Sequence, residues 1–198
     1  MKVEQAIKAR RSIRKFSTKK VGWSQLTKVL EAAIYTPMAG NVFSLRFVVV
    51  TDKKKKSKIA KACLEQYFMQ DASYLIVVCS ELEQVRELYG ERAEIYGTLQ
   101  VGAAIQNMLL QATELNLATC WIGAFEEGSI KSILKIPDNI KVESIIALGN
   151  AKRKPEMPAK KELNKVTYFE EYGKQDIKGE LEKGHEDFWR VRGTRFEK

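Results

Sequence analysis

Three arginines and a hydroxyl fall within five positions in Arg10-Arg11-Ser12-Ile13-Arg14. A guanidinium is a flat fork of donors that matches two phosphate oxygens at once, and a neighbouring serine adds one more donor. The segment therefore has the means to hold a phosphorylated small molecule. It also closes a helical pattern over 3–11, where cations are favoured by the helix dipole with no ligand present. Other chemistry is scarce. His185 is the only histidine and stands in a charged tail, which argues against Ser-His-Asp catalysis and histidine-ligated metals. Cys63, Cys79 and Cys120 are odd in number, unpaired in spacing and set in apolar runs. They read as buried reduced thiols, with no disulfide framework and no metal site.

These residues need elements to position them. With 198 residues and 44% hydrophobic content, the chain supports one substantial core. Ser24 is read as the cap of a helix over 25–35 that stops at Thr36-Pro37. A loop, Met38-Ala39-Gly40-Asn41, leads into an apolar strand over 45–51. Lys53-Lys54-Lys55-Lys56 reads as the solvated start of a helix over 54–66, and 74–79 as a second buried strand. The longest helical pattern covers 92–116 and is apolar nearly all round, which marks a central core helix or a subunit interface. Strands over 119–123 and 141–148 flank a short helix over 128–134. Helices interleaved with strands make the class α+β.

The net charge of +9 is spread along the chain, and nothing resembles a groove-reading helix or an RNA-stacking motif. No nucleic acid partner is expected. No run approaches the ~18 apolar residues of a membrane span, and the amino terminus lacks an apolar signal core, so the expected location is cytoplasmic with no membrane partner. There is no G-x-G-x-x-G and no Walker loop, hence no Rossmann or P-loop site.

Several segments, in order, resemble the nitroreductase family of FMN-dependent oxidoreductases. They are Arg10–Arg14; Thr36–Asn41 leading into Phe47–Val50; Gln66 with Asp71–Val78; Val101–Leu110 running on to Thr119–Phe125; and Ala147–Gly149 followed by Lys160–Leu163. The resemblance implies a nitroreductase-like mixed β-sheet flanked by helices, a long central helix and a homodimer with FMN at the subunit interface. It implies an FMN-binding domain over 1–169 and a tail over 170–198, packed on the partner subunit or partly disordered.

Carried over by position, the resemblance gives Arg10 and Ser12 the ribityl phosphate, with Arg11 alongside, and places Arg14 near the pyrimidine side of the flavin ring. Pro37, Met38, Ala39 and Asn41 approach the ring from the other subunit, and Gln66 bonds its polar edge. The backbone of Trp121, Ile122, Gly123 and Ala124 faces the ring, and Lys160 or Lys161 closes on the phosphate. No protein side chain is assigned a catalytic role, since FMN carries the chemistry. NADH or NADPH is the implied donor, and a nitroaromatic, quinone or flavin the implied small-molecule acceptor. The sequence departs from the family's pattern at Met38 (often serine), at Phe43-Ser44-Leu45 (often Gln-Pro-Trp), at Gln100 (often aspartate), at Asn116 (often glycine) and at Lys160 (often arginine). The reading from a different class is a non-catalytic, basic, dimeric module that binds an acidic partner or nucleic acid.

Overall fold

Strand β2 (Tyr74–Ser80) dictates the architecture, because every residue from Leu75 to Ser80 is buried. A strand apolar on both faces needs a layer on each side. In the computed structural model, which describes residues 1–174, β2 lies between β1 (Leu45–Val50) and β4 (Lys141–Gly149), and β3 (Ala118–Ile122) pairs with the far side of β4. All three pairings are antiparallel, with an irregularity between Val78 and Cys79. The mixed character of the sheet comes from one parallel bridge, Ser12 to Thr119, on the outer edge of β3.

Alternate side chains build the two layers. Leu75, Val77, Cys79, Cys120, Ile122, Ile145 and Ala147 meet Ile59 of α3 (Lys53–Ala62) and Ile130 of α6 (Glu127–Leu134). Ile76, Val78, Ile146 and Leu148 meet α2 (Trp23–Ile34) and α5 (Ala93–Glu114), with Leu26, Val29, Ala104, Ile105 and Met108 filling the gap. Helix α1 (Val3–Ala9) lies against α5. Among the described residues, no helix is long and apolar enough to cross a membrane.

Four local expectations change. Helix α2 begins at Trp23 with Gly22 as its cap residue, so Ser24 sits inside the first turn. The turn is closed by Gln25, whose Oε1 accepts the Gly22 N–H at 3.3 Å. Helix α3 stops at Ala62, and Leu64 and Glu65 take φ of 54° and 58°, which no helix continues through. Lys56 is not solvated but only 3% exposed. A further helix, α4 (Glu83–Tyr89), was not expected; its Val85 packs with Leu82, Ala93 and the partly buried Tyr89. At the end of α5, Asn116 takes φ 57°. That left-handed position follows the helix cap and explains glycine there in the family's pattern; asparagine is the next best tolerated residue.

By its contacts the chain forms two compact units, Met1–Pro155 and one beginning at Glu156. The sequence-based boundary at 169 falls within the second. In that unit the described residues form one short turn, Leu163–Lys165, and a ring contact of 4.8 Å between Tyr168 and Tyr172. Residues 175–198, with His185, Phe188 and Trp189, lie outside the described residues.

Candidate functional site

The arginine segment leaves α1 at Arg10, whose backbone turns extended at φ −58°, ψ 134°. It then runs beside the free edge of β3, where the Ile13 N–H donates to the Thr119 carbonyl at 2.8 Å. Ile13 is buried, while Ser12 and Arg14 are exposed on either side of it. One buried anchor thus presents its neighbours outward. Neither the Arg10 guanidinium nor the Ser12 hydroxyl is spent on another described side chain or on backbone. Arg11 behaves differently. Its Nη1 donates to the carbonyls of Lys8 at 2.6 Å and Arg10 at 2.7 Å, so it closes the C-terminus of α1. This is the ligand-free use of a terminal cation.

A second segment meets the first. The Arg14 guanidinium lies over the Phe68 ring, 5.9 Å from its centroid. Two residues earlier, Gln66 Nε2 donates to the Cys63 carbonyl at 2.9 Å and to the Ala124 carbonyl at 3.4 Å. Ala124 lies two residues past β3, so Gln66 ties the end of α3 to the end of β3. Trp121, Gly123 and Ala124 are exposed there, and Ile122 is buried beneath them. Burial pushes the Cys120 thiol above its ordinary pKa, opposed by the Arg14 cation. Cys63 and Cys79 are pushed up to about 11 by burial. All three are free and buried, and thiols in that state are poor nucleophiles.

The Pro37–Asn41 loop packs elsewhere. Met38 and Phe43 join the α2–α5 layer, and Thr36 is buried with its hydroxyl accepting from Asn107 Nδ2 at 3.0 Å. Gly40 and Asn41 both take left-handed φ, 59° and 57°. A Cβ on Gly40 would sit 2.8 Å from the Tyr89 hydroxyl of α4. Two positions that depart from the family's pattern prove to be partners: buried Ser44 donates its hydroxyl to Oε1 of buried Gln100 at 2.8 Å. Lys160 and Lys161 are exposed residues of the second unit.

The structure therefore gathers Arg10, Ser12, Arg14, Gln66 and 121–124 at one edge of the sheet, turns Arg11 to a helix cap, and packs Met38 of the 37–41 loop on the α2–α5 layer. Phe68, Thr119 and Tyr89 were not foreseen. Phe68 and Thr119 become visible only once the arginine segment is known to run along β3, and no sequence signal marks Tyr89.

The nitroreductase family pattern matches this chain over residues 7–68 and 63–150. A protein of Archaeoglobus fulgidus, named for NADH dehydrogenase and NAD(P)H nitroreductase activity, is 33% identical over 150 residues, covering 74% of this chain and 83% of its own. The crystal structure of a nitroreductase family protein from Clostridium novyi superposes with a TM-score of 0.72 at 29% identity, covering 88% of this chain and 97% of that one. An FMN-dependent nitroreductase from Clostridium difficile superposes with a TM-score of 0.73 at 26% identity, covering 84% and 98%. Motifs, fold and these likenesses agree: the chain belongs to the nitroreductase family.

Proposed function

We propose that this chain is an FMN-dependent NAD(P)H oxidoreductase that passes a hydride from reduced nicotinamide through FMN to a small acceptor, a nitroaromatic, quinone or flavin. The observation that carries the site assignment is the convergence at the β3 edge of unspent donors, Arg10 and Ser12, with a cation, Arg14, and a side-chain amide, Gln66. The relatives bearing nitroreductase and FMN in their names support the activity. Bound FMN supplies the two-electron chemistry, and the protein supplies position and charge.

The residues fit that cofactor. A terminal monophosphate is dianionic and takes several donors, which Arg10 and Ser12 offer from positions two residues apart. Arg11 contributes by fixing the end of α1, and so the place where Arg10 begins. Arg14, held over Phe68, sets a permanent positive charge beside the ring's pyrimidine edge, where negative charge grows on reduction. Gln66 is oriented by its two carbonyl partners and bonds the ring's polar edge. The backbone of 121–124 lines the ring. The FMN-binding domain is taken as 1–169.

The second half of the site comes from a partner subunit. Pro37, Met38, Ala39 and Asn41 form a loop whose Met38 packs on the α2–α5 layer, and Ile95 and Leu99 of α5 are 57% and 64% exposed. Apolar side chains one turn apart on the outer face of α5 fit a homodimer interface that brings this loop to the partner's β3 edge. The enzyme is read as cytoplasmic.

A spectrum tests the function. The purified protein is expected to bind FMN, show flavin absorption and bleach when NADH or NADPH is added without oxygen. A colourless protein that FMN cannot reconstitute would contradict it and favour the non-catalytic module.

A further inference from the structure

Phe16, Ser17, Thr18 and Lys20 on one segment, Gln70 and Asp71 on another, and Lys53 and Lys56 from the first turn of α3 line a half-open cavity of about 510 Å³. Lys56 is its unusual member. The residue is 3% exposed, and its Nζ donates to the Ala72 carbonyl at 2.6 Å. It forms no ion pair with a carboxylate among the described residues. An ammonium carries three donors, and burying it beside a single neutral acceptor is costly. Burial lowers its pKa first, and Lys20 and Lys53 lower it further, with Asp71 opposing. Asp71 is the only carboxylate lining the cavity against three cations. The hollow is thus a net cationic site, with hydroxyl donors in Ser17 and Thr18 and an amide in Gln70.

Its place in the fold suggests what it reads. The same two segments that line it carry the flavin cluster: Arg14 precedes Phe16 by two residues, and Phe68 precedes Gln70 by two. Two residues of chain span at most about 7 Å, so the cavity adjoins the Arg14–Phe68 contact. NADPH and NADH differ by one phosphate monoester on the adenosine ribose, a group read by cations rather than by shape. We propose that this cavity receives the 2′-phosphate of NADPH, so that the enzyme selects NADPH over NADH. The proposal rests on the oxidoreductase reading above, and it assigns the reductant that the sequence leaves open.

The test uses the FMN-loaded dimer and follows flavin reduction without oxygen by each nucleotide in turn. The parent is expected to favour NADPH at least about 10-fold in kcat/KM. The double variant Lys20→Ala/Lys53→Ala is expected to bring that ratio down by about 10- to 100-fold, the loss expected for charge-assisted bonds to phosphate. Both residues are exposed, so the fold tolerates their truncation; Lys56 is left in place because it holds Ala72. The control Lys58→Ala/Lys61→Ala removes the same charge from exposed positions of α3 that do not line the cavity, and is expected to keep the parent ratio. A readout independent of turnover is calorimetry with adenosine 2′-phosphate, whose binding should weaken in the Lys20/Lys53 variant and not in the control. Equal use of the two nucleotides by the parent, including the case in which the cavity serves a phosphorylated acceptor, overturns the proposal alone. So does an equal fall in ratio in both double variants. Failure of both nucleotides to reduce bound FMN overturns the oxidoreductase reading and the proposal together.

Discussion

The β3 edge and the Pro37–Asn41 loop carry residues of the same proposed site, yet the chain holds them in different ways. At the β3 edge, a buried Ile13 and a backbone bond to Thr119 fix the arginines, and Gln66 reaches across to Ala124. Everything needed to position that half comes from one chain. The loop is fixed as firmly, by Thr36 to Asn107 and by Tyr89 against Gly40, but it belongs to the α2–α5 layer. Rigid loop geometry in the wrong layer for its own β3 edge is what a site shared between two subunits requires. Under the proposed shared site, one half is held within the monomer and the other serves the partner.

The largest effect is expected from separating the subunits. The parent should scatter light as about twice 22.6 kDa. Leu99→Arg places a charge on the exposed apolar face of α5, and is expected to give a monomer that loses FMN in step with dissociation. Sedimentation with absorbance at the flavin band follows both at once. A monomer that keeps one FMN per chain would break the comparison.

Next comes the phosphate. Arg10→Ala removes charge-assisted bonds of about 1.5–3 kcal/mol each, a loss of roughly 10- to 100-fold in FMN affinity by fluorescence titration with stability unchanged. Arg11→Ala sharpens the contrast. It should cost stability through the α1 terminus and affect FMN less, because its guanidinium faces Lys8 and Arg10 carbonyls.

On the loop side, Gln100→Ala leaves the buried Ser44 hydroxyl without its acceptor and is expected to cost about 1–3 kcal/mol in denaturant unfolding. The paired change Ser44→Ala/Gln100→Leu, which removes both polar groups, should recover most of it. If the single and double variants are equally destabilised, the pair does not hold the loop to α5.

The smallest effect is a pH dependence at the start of α6, three residues past Ala124. Glu127 accepts the Val142 N–H at 3.0 Å, which lowers its pKa, with desolvation opposing and Lys131 helping. A depressed carboxylate pKa contributes stability above the unfolded-state value, and that stability is lost as pH falls through the folded value. Because the side chain is 41% exposed, screening holds the gain to under about 1 kcal/mol. Glu127→Gln should therefore flatten the acid limb of the melting-temperature profile slightly and leave neutral-pH FMN binding unchanged.

How much of this was legible in the sequence depends on whether the signal was periodic or three-dimensional. The buried strands and the long α5 announced themselves through runs and periods, and the motif order pointed to the fold. Boundaries shifted where one residue decides them: Gln25 closing onto Gly22, or Leu64 and Glu65 entering left-handed φ. Helix α4 escaped because its seven residues give barely two turns of a period over Val85, Leu88 and Tyr89. The proposed site could be listed from the sequence as residues but not as a geometry. Arg11 shares its neighbours' chemistry and yet turns to its own helix, a choice made by the carbonyls at the end of α1. Lys56 read as one of four solvated lysines, and only the approach of the Gln70–Ala72 segment buries it. The bond between Ser44 and Gln100 spans 56 positions, beyond the reach of any local pattern.

Subunit complementation tests the shared site most directly. One chain carries Arg10→Glu, which spoils the β3-edge half, and the other carries Ala39→Glu, which spoils the loop half. Each variant alone should form a dimer that holds no FMN at micromolar concentration, since both of its sites contain one damaged half. The mixed dimer has one doubly damaged site and one intact site, so differential tagging and purification should yield one FMN per dimer. A mixed dimer as empty as its two parents would contradict the account, and would mean that each flavin site draws both halves from a single chain.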